Sequence, residues 1–202
     1  MPLWLAAKPL MLASKSAARR AMLEAAGIPI EIEPADIDER GIEARASAQG
    51  PGMVAALLAR EKARAVSAKH PDRMVLGADQ TLALGQRRFS KAPNRAVARE
   101  QLAALRGATH SLHSAAAVIR GGAALFEHVD AAHLTMRNFS DAYLDSYLDA
   151  VGDKALSSVG GYQLEGTGIQ LFERVEGDHF TVLGLPLFAL LNWLRQAGLL
   201  AK

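Results

Sequence analysis

Apolar positions along this chain fall into short unbroken runs and longer helical stripes. Residues 10–13, Leu-Met-Leu-Ala, form one such run and predict a buried strand. The turn Ser14-Lys15-Ser16 interrupts it, with Ser14 or Ser16 available as an N-cap. Residues 17–26 then predict a helix carrying Met22 and Leu23 and ended by Gly27. Residues 28–32 read as a second strand, followed by the acidic turn Asp36-Ile37-Asp38-Glu39-Arg40. After Gly50-Pro51-Gly52, the residues Val54, Leu57, Leu58, Ala65 and Val66 recur at helical spacing. They predict a long amphipathic helix over 53–69, with Arg60, Lys62 and Arg64 interspersed.

The second half continues the alternation. Residues 74–84 predict a strand, a break at Gly77 and a further strand, which puts Asp79 where the first of the two ends. A helix over 95–105 is ended by Gly107, and two strands over 111–120 and 124–136 flank Gly121-Gly122 as a hairpin. Ser140 caps a helix over 141–150. The glycine-rich stretch 160–168 leads into a strand over 169–175, and a last helix over 187–196 follows Gly184-Leu185-Pro186. This order predicts an α/β fold: a single domain over residues 1–202 with helices packed on a mixed sheet.

Composition narrows the function classes. At 202 residues and 50% hydrophobic, one globular core suffices. Lys plus Arg number 23 against 21 for Asp plus Glu, so a net charge of +2 argues against wholesale binding to nucleic acid or a membrane. Any basic site must be local. With no cysteine, thiolate catalysis and cysteine-ligated zinc are excluded. The apolar opening, residues 2–8, lacks a basic start and is interrupted by Lys8, unlike a signal peptide. No run approaches the roughly 20 apolar residues of a membrane span, so a cytoplasmic protein is expected.

The turn at Ser14 is the most chemically suggestive segment. A helix start there points free backbone N–H groups outward, with Lys15, Arg19 and Arg20 within its first turns, an arrangement suited to a polyphosphate. Polyphosphate hydrolysis also needs carboxylates for a divalent metal and a base for water, with cations for the phosphate oxygens. Glu39, Lys62, Asp79 and Lys91 supply these types at element ends. Asp79 has the strongest claim from local pattern, because a carboxylate buried without partners costs several kcal/mol. His110 and His113, three apart in a predicted strand, point to opposite faces and make no metal pair. There is no Gly-x-Ser-x-Gly elbow and no Walker loop, and the glycine-rich stretch precedes a strand rather than opening a helix.

Seven segments in order, from Leu12-Ala-Ser14-Lys-Ser16-Ala-Ala-Arg19-Arg20 through Asp38-Glu39, Leu58-Ala-Arg-Glu-Lys62-Ala, Gly77-Ala-Asp79, Lys91-Ala-Pro93 and Gly160-Gly161-Tyr to Gly184-Leu-Pro186, resemble the Maf family of nucleoside triphosphate pyrophosphatases. The resemblance implies an elongated anvil-like domain, as in inosine triphosphatases, with a substrate cleft. It implies hydrolysis of a nucleoside triphosphate to monophosphate and pyrophosphate with Mg²⁺ or Mn²⁺. By motif, Ser14, Ser16, Arg19 and Arg20 would hold phosphates, Lys62 and Lys91 would complete a cationic wall, and Glu39 and Asp79 would serve metal and water, Asp79 as proton acceptor. A homodimer is compatible with this reading. Two departures, Ala17-Ala18 in place of a single proline and Ser90 in place of glycine, remove no charged group.

Gln80 and Glu165 look like the branch acting on 7-methyl-GTP rather than the thymidine and uridine branch. The chemistry agrees: an ionised glutamate only accepts hydrogen bonds, and guanine presents two adjacent donors, N1–H and its 2-amino group. Two alternatives stay open at this point. One is a pyrophosphatase preferring dTTP or UTP. The other is a nucleotide-binding regulator of cell division without hydrolysis, which the retained Glu39, Asp79, Lys62 and Lys91 disfavour.

Overall fold

Strand β3 organises the molecule, because its two halves have different neighbours on one edge. In the computed structural model, which describes residues 2–46 and 48–202, the chain runs β1 (Leu10–Leu12), α1 (Ala17–Ala25), β2 (Ile30–Ile32), α2 (Glu39–Arg45), α3 (Pro51–Ser67), β3 (Val75–Leu84) and β4 (Arg87–Phe89). It continues through α4 (Arg95–Leu105), β5 (Thr109–Arg120), β6 (Ala123–Met136), α5 (Asp141–Val151), β7 (Phe172–Glu176), α6 (His179–Val182) and α7 (Leu187–Gln196). Three short 3-10 turns, Gly152–Leu156, Val159–Gly161 and Thr167–Leu171, lie between α5 and β7. The seven strands form one mixed sheet in the order β2-β1-β3-β5-β6-β7, with β4 also on β3.

Pairing explains where a site can form. The first half of β3 pairs in parallel with β1 at Val75 and Leu76, and the second half pairs with β4 from Leu82. The opposite edge of β3 is paired with β5 from Val75 to Ala83. Between β1 and β4 the free edge of β3 exposes the stretch around Asp79. The sheet therefore parts there, where β1 has already turned away at Ser14.

Both faces of the sheet are covered. Helix α3 lies against one face through Ala55, Ala59 and Ala63, which meet Ala115 and Ala117 of β5 and Val75 of β3. Small residues on both sides bring helix and sheet close. On the opposite face, α1 and α7 pack Leu23, Leu190 and Leu194 on β1 and the first half of β3, while α4 and α5 pack Leu102, Leu144 and Leu148 over its second half. Among the described residues no helix is long and apolar enough to cross a membrane.

Three sequence expectations change. β3 runs unbroken through Gly77, because that glycine accommodates α3: a Cβ there would lie 2.7 Å from the Ala63 amide nitrogen and nearer still to the Ala59 carbonyl oxygen. Glu39 opens a helix rather than sitting in a turn, since the Asp38 carboxylate accepts from Gly41 N–H and caps α2. The strand expected from residue 169 starts only at Phe172, behind a 3-10 turn over Thr167–Leu171 in which a side chain on Gly168 would meet the Gln163 backbone at 2.5 Å.

Candidate active site

The gap in the sheet opens into a cleft of about 1080 Å³. Its floor is built from β1, α1 and β3. Ser16 caps α1 by accepting from Arg19 N–H at 3.4 Å, and Ser14 Oγ accepts from Ser16 N–H at 3.2 Å. Arg19 shares a helix face with Met22 and Leu23, so it points into the fold. Its guanidinium donates to Ser14 Oγ at 3.2 Å, Ala78 O at 2.9 Å and Gly184 O at 2.8 Å. It thereby occupies the free edge of β3. Burial lowers the Arg19 pKa, with the charges of Asp79 and Glu39 acting the other way.

An ionic cluster lies beside it. Lys62, on the α3 face turned to the sheet, donates to Asp79 Oδ1 at 2.7 Å and lies 3.1 Å from Glu39 Oε1. Ser14, Arg19, Lys62 and Asp79 each retain only 8–9% exposure, so their tips alone face the cleft. Burial raises the Asp79 carboxyl above the usual carboxylate range against the opposing pull of Lys62 and Arg19. Burial and the two cations thus act on the Asp79 proton in opposite directions. Glu39 is half exposed and approaches from α2 across the cleft.

The other expected residues divide. Lys91 is exposed on the cleft wall after β4, and Glu165 is exposed at its far rim. Arg20 turns away: one position on from Arg19, it lies outside the cleft lining and pairs with Glu24 at 2.8 Å. Gln80 lines the cleft, but its amide nitrogen already donates to Ser114 Oγ at 2.9 Å and to the carbonyls of Thr181 and Val182, each at 3.0 Å. Its donor end is committed to holding α6, which leaves only its oxygen for a ligand.

Three charged residues given no site role from the sequence also line the cleft, Arg40, Glu43 and Arg88. Burial raises the Glu43 carboxyl, Asp79 adds to that rise, and Arg88 opposes it. Glu43 follows Glu39 by four positions on α2, and that spacing places both on one helix face. Arg88 is followed by Phe89 and Ser90 in the cleft wall. Tyr162 completes the wall from the glycine-rich loop: its hydroxyl oxygen is 2.7 Å from His110 Nε2, and Gly160 adopts a positive φ of 83° just before it.

Two carboxylates are the only acidic donors brought to the Lys62 ammonium among the described residues. Among the described residues no group of three or more His, Cys, Asp or Glu side chains could hold an ion, so the chain provides no closed cage. Glu39 and Asp79 converge instead on one point, which the Lys62 ammonium shares. Two hard carboxylates suit an ion such as Mg²⁺, whose remaining positions are taken by phosphate oxygens and water.

A family model described as Maf-like protein matches residues 9–197. A protein of Rhodopseudomonas palustris named nucleoside triphosphate pyrophosphatase is 56% identical over 201 residues, covering 100% of both chains. One from Rhizobium etli named 7-methyl-GTP pyrophosphatase is 51% identical over 191 residues, 94% of this chain and 96% of that one. Among solved structures, a HAM1 protein from Coxiella burnetii overlays with a TM-score of 0.42 at 15% identity, covering 65% of this chain and 74% of that one.

Proposed function

Because this chain belongs to the Maf-like protein family, we propose that its cleft hydrolyses a nucleoside triphosphate to the monophosphate and pyrophosphate, with preference for a purine such as 7-methyl-GTP. The observation that carries the reading is the Lys62 ammonium, which ties Asp79 and Glu39 together directly beside the Ser14 and Arg19 anion seat. The relatives named for these two activities support it.

In the reaction, water attacks the α-phosphorus. Asp79 accepts a proton from that water as the new P–O bond forms. The bond from the α-phosphorus to the α–β bridging oxygen breaks, and pyrophosphate leaves with that oxygen. Ser14, Ser16 and the N-terminal amides of α1 bind phosphate oxygens, with Arg19 and Lys91 adding positive charge. Lys62 holds Asp79 in place and offsets its charge. Glu39 and Asp79 would hold a divalent cation, which supplies further neutralisation of the phosphates when bound. Glu165 reads the base by accepting from the N1–H and amino group of guanine. A uracil O4 facing the same carboxylate is repelled.

A panel of triphosphates with Mg²⁺, scored for pyrophosphate and monophosphate together, tests the proposal. Release of pyrophosphate with 7-methyl-GTP or GTP ahead of UTP and dTTP is the expected result. No release from any of them would overturn the activity, and a pyrimidine preference would overturn the base reading. Asp79→Asn keeps the side-chain shape and removes the base, so kcat should fall about 10²–10⁴-fold. Turnover near that of the native enzyme would remove Asp79 from its role.

A further inference from the structure

A second hollow of about 500 Å³ opens beside the cleft, between α1 and the α6–α7 corner. The two spaces share a wall: Ala18, Ala21, Leu183 and Glu165 line both. The hollow is apolar, and Glu165 is the charged residue in its lining. On the α1 side the lining includes Ala21 and Ala25, which end at Cβ and leave a flat floor. On the other side stand Phe180 and Phe188, with ring centroids 5.3 Å apart at 84°. Phe188 is 60% exposed, a large aromatic face left open to water.

A flat floor, an aromatic wall and one carboxylate at the rim define a ligand: planar, apolar on its faces, with hydrogen-bond donors along one edge. A purine base meets all three terms. Methylation at N7 adds a positive charge, which an aromatic face attracts and a carboxylate strengthens. Adjacency to the cleft across the shared Ala18, Ala21, Leu183 and Glu165 points to a purine attached to phosphates that lie at Ser14 and Arg19.

We infer that this hollow seats the base of the substrate, with Glu165 at the junction between base and phosphate seats. The inference rests on the proposed function and adds where the base lies. The frame of the molecule agrees with it. Gln80 donates to Thr181 O and Val182 O, and Arg19 donates to Gly184 O, so the corner bearing Phe180 and Leu183 is tied to the residues at the phosphate end. These bonds fix the two seats relative to each other, and the committed donor end of Gln80 is explained as positioning rather than base reading.

Ala25→Trp fills the hollow from an exposed helix position outside the cleft lining, and Phe188→Ala removes its aromatic wall without filling anything. Both should raise KM for 7-methyl-GTP about three- to tenfold, the worth of one aromatic contact, and leave kcat within about twofold. Calorimetric titration with 7-methyl-GMP should weaken by a similar factor. Unchanged KM and unchanged 7-methyl-GMP affinity in both variants would overturn the inference while the hydrolytic function stands. A loss confined to kcat would also overturn it, since that reports distortion of the phosphate end. So would sedimentation showing a native dimer that both variants dissociate at unchanged KM, because the hollow would then be a subunit contact. If the native protein releases no pyrophosphate, the proposed function fails separately, and the 7-methyl-GMP titration still decides the seat.

Discussion

Glu165 carries the base selectivity proposed for this cleft, and the difference between a carboxylate and an amide sets the direction of one substitution. Glu165→Gln replaces one of two acceptor oxygens with a donor, so the bidentate contact to guanine is lost and a pyrimidine carbonyl is no longer repelled. The ratio of kcat/KM for 7-methyl-GTP to that for UTP should fall about tenfold or more, the worth of one charge-assisted hydrogen bond. An unchanged ratio would show that Glu165 does not read the base. Residue identities at this scale were legible in the sequence, whereas orientations were only partly so. Arg19 and Arg20 both read as phosphate ligands. Helical phase separates them, since Arg19 shares the face of Met22 and Leu23 while Arg20 is spaced for a pair with Glu24. Glu43 follows Glu39 by one helical turn, a phase that shows only once the acidic segment is seen to be α2. Arg88 was not, because a three-residue strand has too little pattern to show which side chain turns inward. The commitment of Gln80 to Thr181 and Val182 spans about a hundred positions and leaves no local trace.

At the scale of elements, apolar periodicity located most helices and strands, and the errors fall where close packing overrides local preference. Gly77 reads as a strand break because glycine weakens strands. It stands inside β3 because α3 crosses there at backbone contact distance. That contact also places Lys62, one residue before Ala63, against Asp79, two residues after Gly77. Gly77→Ala must therefore push α3 off the sheet. Overpacking of this kind costs about 1–3 kcal/mol, to be read as a lower denaturation midpoint at unchanged m-value. The same shift should stretch the Lys62 to Asp79 contact and lower kcat even in the fraction that remains folded. A variant with native stability and native kcat would mean that α3 can recede without moving Lys62. The acidic segment at Asp38 shows a related ambiguity, because an N-capping aspartate and a turn aspartate have the same sequence signature until the following seven residues are seen as α2.

At the scale of the whole molecule, one buried histidine couples folding to pH. His110 sits on β5 under the glycine-rich loop, 1% exposed, with Nε2 against the Tyr162 hydroxyl and Nδ1 facing no partner among the described residues. Burial among Tyr162 and Phe172 lowers its pKa from 6.5 to about 4. The unfolded chain takes up the proton near 6.5 and the native state resists it until about 4. Between those values the unfolded state binds more protons, so stability falls as pH falls, and the slope fades out well above 6.5. The loss between pH 7 and pH 5 should be about 2 kcal/mol, approaching about 3 kcal/mol below pH 4. Carboxylates add their own acid dependence, so the useful measurement is a difference. Urea unfolding of the native chain and of His110→Gln at both pH values should show the variant losing about 2 kcal/mol less. Equal losses would mean that His110 titrates alike in both states. The stake is more than stability, because Tyr162 belongs to the segment that continues to Glu165. Acid that charges His110 in partially opened molecules should loosen the base-reading rim before it reaches the Lys62 and Asp79 centre, which is anchored on α3 and β3. KM for 7-methyl-GTP should then rise at a pH where the bulk of the chain is still folded, and the same rise in His110→Gln would place its origin elsewhere.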